Sequence, residues 1–455
     1  MAADDHRSDP LGRPRPTVQD MLADDPRGVP WQLKDAPYEA LGLGGVQTQE
    51  YLSKDFAEQE MRGLWGRVWQ MACREEEIPE IGDHLLYEVG PWSLIIVRSA
   101  ADEIRAHFNA CLHRGRQLRD CGGSVKAFRC PFHGFTWNLD GTLKHVPAPW
   151  DFPHLSEERF RLPEARVGRW GGFVFVCLDP EAPPLEMFLE DIPAIYERWP
   201  MEHRFIAAHV AKPLHCNWKI ALEAFVESFH VTDTHPQAAS YIGDFHTQYD
   251  VWEGKRHYSR MISPRGLASP SLGGALTPDE VLQSSEPDAG PITVPDGQTP
   301  RRVMADRKRA QLAPVLGPAV ESVTDSEAID TIQYWIFPNL VCWWGHGAPI
   351  TYRFRPLGAD PDWCLQEVYL LVPVPHGRPR PKAAPLNLLR ADQSWTDAKE
   401  LGGLGAVFDQ DAANLWAVQK GLRSLRSGET TLARYQENRL RHFHETLRSY
   451  LHSGR

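Results

Sequence analysis

Four side chains between positions 111 and 133 have the types and spacing of metal ligands. The sequence reads N-A-C-L-H-R-G-R at 109–116 and C-P-F-H-G-F-T-W-N-L-D-G at 130–141. It pairs Cys111 with His113 and, after a gap of sixteen residues, Cys130 with His133. Two thiolates and two imidazoles suit two kinds of centre. One is a single zinc ion, for which sets of two cysteines and two histidines are common. The other is a [2Fe–2S] cluster with two cysteines on one iron and two histidines on the other. The spacing favours the cluster. Each loop supplies one Cys and one His, so each loop can reach both irons, whereas zinc fingers usually pair Cys with Cys and His with His. Gly115 and Gly134 allow close backbone approach, and Pro131 stiffens the second loop.

A second group lies in N-W-K-I-A-L-E-A-F-V-E-S-F-H-V-T-D-T-H-P at 217–236, which holds His230 and His235. A helix is predicted over 220–231, where Glu227 and His230 stand at i and i+3 and share a face. His235 would lie about 140° away on an unbroken helix. It joins His230 only if the helix bends or ends, and Thr232-Asp233-Thr234 with Pro236 favour such a break. Two His and one carboxylate make the facial triad of non-haem iron(II), with positions left open for dioxygen and substrate. The competing reading is that two of 19 histidines fall close by chance.

Composition narrows the class. A chain of 455 residues is long enough for two or three domains with real cores. A formal charge of −11 and a sequence pI of about 6.0 argue against nucleic acid as a partner. The eight cysteines show no small-domain disulfide framework. The start M-A-A-D-D-H-R-S-D-P lacks a basic region followed by an apolar one, so no secretory signal is expected. No apolar run approaches the roughly 20 residues of a membrane span. A cytoplasmic protein without membrane contact is the expectation.

These ligands need a scaffold. Residues 1–47, rich in Pro, Asp and Gly, read as an irregular arm. A helix is predicted over 48–65, with Leu52, Phe56, Met61 and Leu64 as its apolar stripe. From 69 to 178 the pattern is short strands, with the metal loops among them. Asp179-Pro180 and Pro183-Pro184 mark a boundary. A helix at 185–197 leads to a strand and turn at 209–219. Residues 262–300 read as a long loop or insertion, followed by a short charged helix near 301–312. Strands are expected at 329–344 and 363–373, and helices at 408–423 and 430–451. The order is a small all-β domain, then a mixed domain, an α+β reading. The expected division is an arm at 1–47, a first domain at 48–180, and a second at 181–455 with an insertion near 262–330.

The stretch from Cys111 to His133 closely resembles the Rieske signature of the Rieske non-haem iron oxygenases, in their large (alpha) subunits. The resemblance covers roughly 65–235 well and 330–423 more loosely. It implies one Rieske [2Fe–2S] cluster, with Cys111 and Cys130 on the inner iron and His113 and His133 on the outer one. It also implies one mononuclear Fe(II). Family members carry N-W-K, then an acidic residue two places before an aromatic-His pair, then a second His. Here these are Asn217-Trp218-Lys219, Glu227, Phe229-His230 and His235. The resemblance thus marks His230 and His235 as iron ligands and Glu227 and Asn217 as catalytic candidates. F-D-Q-D-A-A-N-L-W-A-V-Q-K-G-L at 408–422 resembles the family's acidic segment ending in Gln-x-Gly. Asp411 best matches the third ligand there, with Asp409 as the alternative. Either could instead be the acidic start of a helix.

In the family the equivalent of Glu227 is a bridge, here from His133 of one subunit to His230 of the next, orienting both rings. Glu223 reads as helix surface or a secondary hydrogen-bond partner. Many arene dioxygenases of the family have Asp where this chain has Glu227. Glu there resembles members acting on quaternary ammonium compounds. The implied fold is a Rieske domain followed by a helix-grip catalytic domain with an antiparallel sheet. The implied function is a terminal oxygenase that uses dioxygen to hydroxylate or dihydroxylate a small organic, aromatic substrate, as in aromatic hydrocarbon catabolism. Its electrons would come from a separate NAD(P)H-dependent reductase, with or without a ferredoxin, since no G-x-G-x-x-G segment follows a strand here. A head-to-tail homotrimer is expected. Monooxygenation or oxidative N- or O-dealkylation, a Rieske electron-transfer protein, and a zinc-binding structural protein remain as alternatives.

Overall fold

Three sheets organise the chain in the computed structural model, which describes residues 11–156 and 158–452. The expected arm at 1–47 therefore lies partly outside the described residues. The first sheet has seven antiparallel strands. Its spine is Asp83–Val89, Trp92–Ala100 and Glu103–Phe108. The apolar run L-I-I-V at 94–97 is fully buried. Ile95 and Val97 face a small core with Cys111, Phe128, Cys130 and Trp137. Alternate residues, Leu94 and Ile96, join the main core on the other face, as the two-residue period of a strand requires. A three-stranded sheet, Phe128–Arg129, Thr136–Trp137 and Leu143–His145, carries the second metal loop.

The third sheet has eight strands. T-I-Q-Y-W-I (Thr331–Ile336) and L-V-C-W-W (Leu340–Trp344) are buried along their whole length, so both faces are covered. The pairing is antiparallel except at one edge, where Arg204–Leu214 runs parallel to Leu386–Leu388. Phe408, from the helix Leu404–Leu422, packs on Phe225 and on Tyr352 of the sheet. Buried arginines join the two halves. Arg74 donates to the carbonyls of Met201 and Arg204 at 3.2 and 3.1 Å. Arg353, paired with Glu367 at 2.5 Å, donates to the Met71 carbonyl at 3.1 Å. No helix among the described residues is long and apolar enough to cross a membrane.

Several local expectations are corrected. The single helix expected at 48–65 is broken into Gln49–Leu52, Lys54–Glu60 and a wide turn at Met61–Trp65, because Ser53 leaves the helix to cap the second piece. The described part of the arm contains a capped helix, Val18–Ala23. The stretch expected as loop at 262–300 holds a helix, Pro278–Ser285, and Asp325–Ile329 is a further one, while the charged helix expected near 301–312 is present as Pro300–Leu316. Thr277-Pro278 is a cap-then-proline start that the surrounding Pro, Gly and Ser obscured.

Candidate metal centres

The two loops of the first centre are built alike. The Cys111 N–H donates to the Arg116 carbonyl at 2.8 Å, and the Gly115 N–H returns to the Cys111 carbonyl at 2.8 Å. In the second loop Cys130 donates to Phe135 at 2.8 Å and Gly134 returns to Cys130 at 3.0 Å. Gly115 and Gly134 sit at φ +75° and +82°, a region where a side chain would be strained. Cys111 and Cys130 are buried, and burial, with Cys130 alongside, pushes the Cys111 thiol up. His113 and His133 lie further out, with ring centres 4.7 Å apart. The Nδ1 of His113 is buried without a hydrogen-bond partner.

The sulfurs thus pair inside and the imidazoles pair outside. Among the described residues, only His230, His235 and Asp411 bring three ligand atoms within 4.8 Å of one another. Each loop contributes one thiol and one imidazole. Two pairs side by side fit a two-iron cluster.

The second centre depends on a chain that leaves its helix early. Asn217 caps the start of Trp218–Ala224, accepting from the Lys219 N–H at 3.0 Å. The helix predicted to reach 231 ends at Ala224. Side chains capture the next backbone groups. Gln333 donates to the Phe225 carbonyl at 2.6 Å, and the Ser228 N–H donates to Tyr249 Oη at 3.0 Å. The Glu227 carboxylate accepts from the Phe229 and His230 N–H groups. Such local bonds compete with helix. A four-residue helix, Val231–Thr234, follows, and His235 ends it at φ −122°. Glu227 and His230 therefore meet through a turn, not across a helical face.

The geometry converges on Asp411. His235 Nε2 is 3.0 Å and His230 Nε2 is 3.6 Å from its Oδ1. Each histidine's other nitrogen is occupied: His230 Nδ1 by Glu227, and His235 Nδ1 by Gln410 Oε1 at 2.8 Å. Both Nε2 atoms are thereby turned to the common point. Burial pushes the His230 pKa down, but the charges of Glu227 and then Asp411 outweigh it and hold the pKa above its ordinary value. A metal cation would take over from that proton. Asp409 is not brought to the group. Two residues along the helix it faces elsewhere, bonding Ser394 and the Trp395 N–H, the latter at 2.9 Å.

Asn217 is not brought there either. Its side chain is used by backbone groups, donating to the Tyr51 carbonyl at 2.8 Å as well as capping. Glu223, expected as helix surface or a secondary hydrogen-bond partner, accepts from Tyr51 Oη at 2.9 Å and lies 2.7 Å from the buried His444 Nε2. Trp416 stacks on His215 at 3.9 Å. Gln410 went unmarked in the sequence. Its neighbours Asp409 and Asp411 carried the acidic signal, and a neutral amide adds none.

Two cavities flank the triad. One, of about 310 Å³, runs between the triad and the large sheet, walled by Phe225, Val231, Trp343, Tyr352 and Phe408 among others, with Arg265 also in its lining. The other, of about 470 Å³, has Tyr51, Glu223, Asn414 and Glu437 in its wall. Glu227, His230 and Asp411 line both.

Comparison with known proteins places the two centres in two known domains. A family profile described as a Rieske [2Fe–2S] domain matches residues 68–156, which contain the four loop ligands. A profile described as ring hydroxylating alpha subunit (catalytic domain) matches 194–453, which contain the triad. Over 202 residues the chain is 32% identical to the biphenyl 2,3-dioxygenase alpha subunit of Rhodococcus jostii, covering 42% of this chain and 43% of that one. Over 213 residues it is 27% identical to the carnitine monooxygenase oxygenase subunit of Escherichia coli K12, covering 46% and 57%. The chain spans about half the length of these curated relatives. Its fold is shared with naphthalene 1,2-dioxygenase from Rhodococcus sp. (TM-score 0.61, 21% identity, 90% of this chain and 94% of that one). It is also shared with a quaternary ammonium Rieske monooxygenase bound to L-carnitine (TM-score 0.63, 16% identity, 90% and 95%). The cofactors of the two domains are a Rieske [2Fe–2S] cluster and a mononuclear iron. With the catalytic profile covering more than half its length, the chain belongs to the ring hydroxylating alpha subunit family, its Rieske domain preceding the catalytic one.

Proposed function

We propose that this chain is the terminal oxygenase of a Rieske system, oxidising a small organic molecule with dioxygen and electrons from a separate reductase. The observation that carries this reading is the triad of His230, His235 and Asp411, with ligand atoms within 4.8 Å, opening onto a largely apolar cavity of about 310 Å³. Cys111, His113, Cys130 and His133 would hold the cluster; His230, His235 and Asp411 would hold the iron. When bound, these groups supply single-electron transfer and dioxygen reduction. The protein's own part is positioning. Glu227 and Gln410 fix the two imidazoles, and the aromatic wall excludes water and takes an apolar substrate.

Mono- and dioxygenation are both in keeping with this arrangement, and Glu227 in place of Asp, together with the carnitine monooxygenase relative, favours the first as a second reading. Turnover under ¹⁸O₂ separates them: two labelled atoms in one product mean dihydroxylation, one means monooxygenation, and a released aldehyde means dealkylation. Metal analysis tests the base of the proposal. The protein should hold the two irons and two sulfides of the cluster and one iron more. Stoichiometric zinc without acid-labile sulfide would overturn it.

The proposal includes a head-to-tail homotrimer. His133 is exposed beside Phe132, and the second cavity reaches the triad with Glu227 in its wall. Two unlike surfaces of this kind pair heterologously and close into a ring. His133→Ala and Asp411→Ala chains, each inactive alone, should regain partial activity when co-assembled. Complete inactivity in mixed rings would show that each chain works by itself. All eight cysteines are free, which supports a reducing, cytoplasmic setting.

A further inference from the structure

Among the described residues Arg265 has no ion-pair partner, in a chain of formal charge −11. Its backbone is fixed from both sides. The Arg265 N–H donates to Asp330 Oδ1 at 2.9 Å, and its carbonyl accepts from Arg301 Nη1 at 3.1 Å. The next residue, Gly266, sits at φ +83°, and a Cβ there would lie 2.6 Å from the Cα of Arg301. Asp330 is fully engaged in this clamp, since it also takes both guanidinium nitrogens of Arg301 at 2.6 and 2.7 Å.

The half-buried Arg265 side chain is left over. It lines the cavity beside the triad. Among the described residues no carboxylate lies within ion-pair distance of it, and its Nε is buried with no hydrogen-bond partner. The charged neighbour from the helix Pro300–Leu316 is Lys308, another cation, whose pKa is held down by burial and by Arg265. Gln333, Gln237 and Ser228 in the same lining are engaged within the protein. Gln333 bonds the Phe225 carbonyl and Arg439, Gln237 bonds Gln410, and Ser228 bonds Thr247. The guanidinium is half-buried with its Nε sealed off and unpaired, and a carboxylate on a ligand would supply both the missing acceptor and the counter-charge.

We propose that Arg265 anchors a carboxylate on the substrate, so that the molecule oxidised at the triad is an organic acid with an apolar body. This rests on the oxygenase reading above and names its substrate class. The guanidinium fork matches a carboxylate in two parallel hydrogen bonds, and Trp343, Tyr352 and Phe408 take the apolar part. Arg265 and the triad line the same cavity, so an acid group held at Arg265 leaves the body of the molecule to face the triad.

The test is equilibrium binding to the cofactor-loaded protein without turnover, read by tryptophan fluorescence and calorimetry. The probes are benzoate against benzamide and 3-phenylpropanoate against 3-phenylpropanamide. At least one acid should bind about tenfold to a hundredfold tighter than its amide. Arg265→Gln should remove that gap by weakening the acids alone, and Arg265→Lys should restore part of it. Equal binding of acids and amides, no binding by either acid, or a preference surviving Arg265→Gln in a protein with wild-type iron content would overturn the proposal. Failure of the oxygenase reading shows elsewhere, as absent triad iron or absent labelled product, whatever these affinities are.

Discussion

Replacing Gln410 by Ala asks whether the triad is a metal site or a chance cluster. Gln410 supplies no ligand atom. Its Oε1 accepts from His235 Nδ1 at 2.8 Å and from Gln237 Nε2 at 2.8 Å. With Nδ1 held as the protonated nitrogen, the lone pair of His235 sits on Nε2, the atom 3.0 Å from Asp411. Without Gln410 the ring can take the other tautomer and turn. Removing such an outer partner weakens metal binding about tenfold to a hundredfold, which is about 1.4–2.8 kcal/mol. His235 is only 7% exposed, so water cannot readily replace the amide, and the upper part of that range is expected. The assay is anaerobic removal of the mononuclear iron by chelation, then titration with Co(II), followed in the visible with the cluster intact. Gln410→Glu keeps the acceptor and should bind at least as tightly as wild type. Wild-type affinity in a folded Gln410→Ala protein would refute the reasoning, because Nε2 of His235 would then not need to be held for the metal.

Three further outcomes follow from the same geometry. Asp411→Ala should lose the triad iron while keeping the cluster absorption, whereas Asp409→Ala should keep all its iron and lose only a cap, about 0.5–2 kcal/mol by denaturant unfolding; iron loss in Asp409→Ala instead would reverse the ligand assignment. Lys219 Nζ pairs with Glu60 at 2.7 Å, with side chains 0% and 2% exposed, so Lys219→Met should cost about 3–5 kcal/mol, and adding Glu60→Gln should recover part of it. His444 is disfavoured as a cation by burial, but Glu223 and Glu50 outweigh this and raise its pKa; its stabilising contribution is complete below the unfolded value near 6.5 and lost as pH rises through the folded one. The melting temperature should fall as pH rises above about 6.5, and a His444→Gln protein with the same slope as wild type would sink this account.

The sequence showed the ligands better than the means of holding them. The Cys-His loops are local. Each closes on itself through Cys and Gly backbone bonds, so their spacing carries most of the geometry. His230 and His235 are also close in sequence, but what joins them is not local. The helix stops at Ala224 because Gln333 and Tyr249, more than twenty residues away in the chain, take its next backbone groups. No periodicity in 217–236 encodes those partners. The third ligand needed the helical repeat: Asp409 and Asp411 are equal in type, and their two-residue offset turns them to different faces. Arg265 and Gln410 carried no motif at all. One is defined by the carboxylate it lacks, the other by a ring it meets only in the fold. The helix Pro278–Ser285 was written in a Thr-Pro start that a count of Pro, Gly and Ser hides.

Glu227 is where these strands of argument meet. Its carboxylate shapes the turn that replaces the helix, holds His230 Nδ1, and stands in the walls of both cavities. Its charge is also the largest of the carboxylate influences on the His230 imidazole. Any group that enters either cavity and changes the charge or position of Glu227 must therefore change His230 as well. By linkage the effect runs both ways: a ligand change at His230 alters what Glu227 offers to each side. The two cavities need no conformational pathway to communicate. One hydrogen-bonded pair forms part of the boundary of both, and Asp411 completes it from the other side. A neutral amide at 227 would keep the turn's acceptor oxygen but remove the charge. Its NH2 group would meet His230 Nδ1 in place of Oε1, so the charge and the hold on that ring are lost together while the turn is kept.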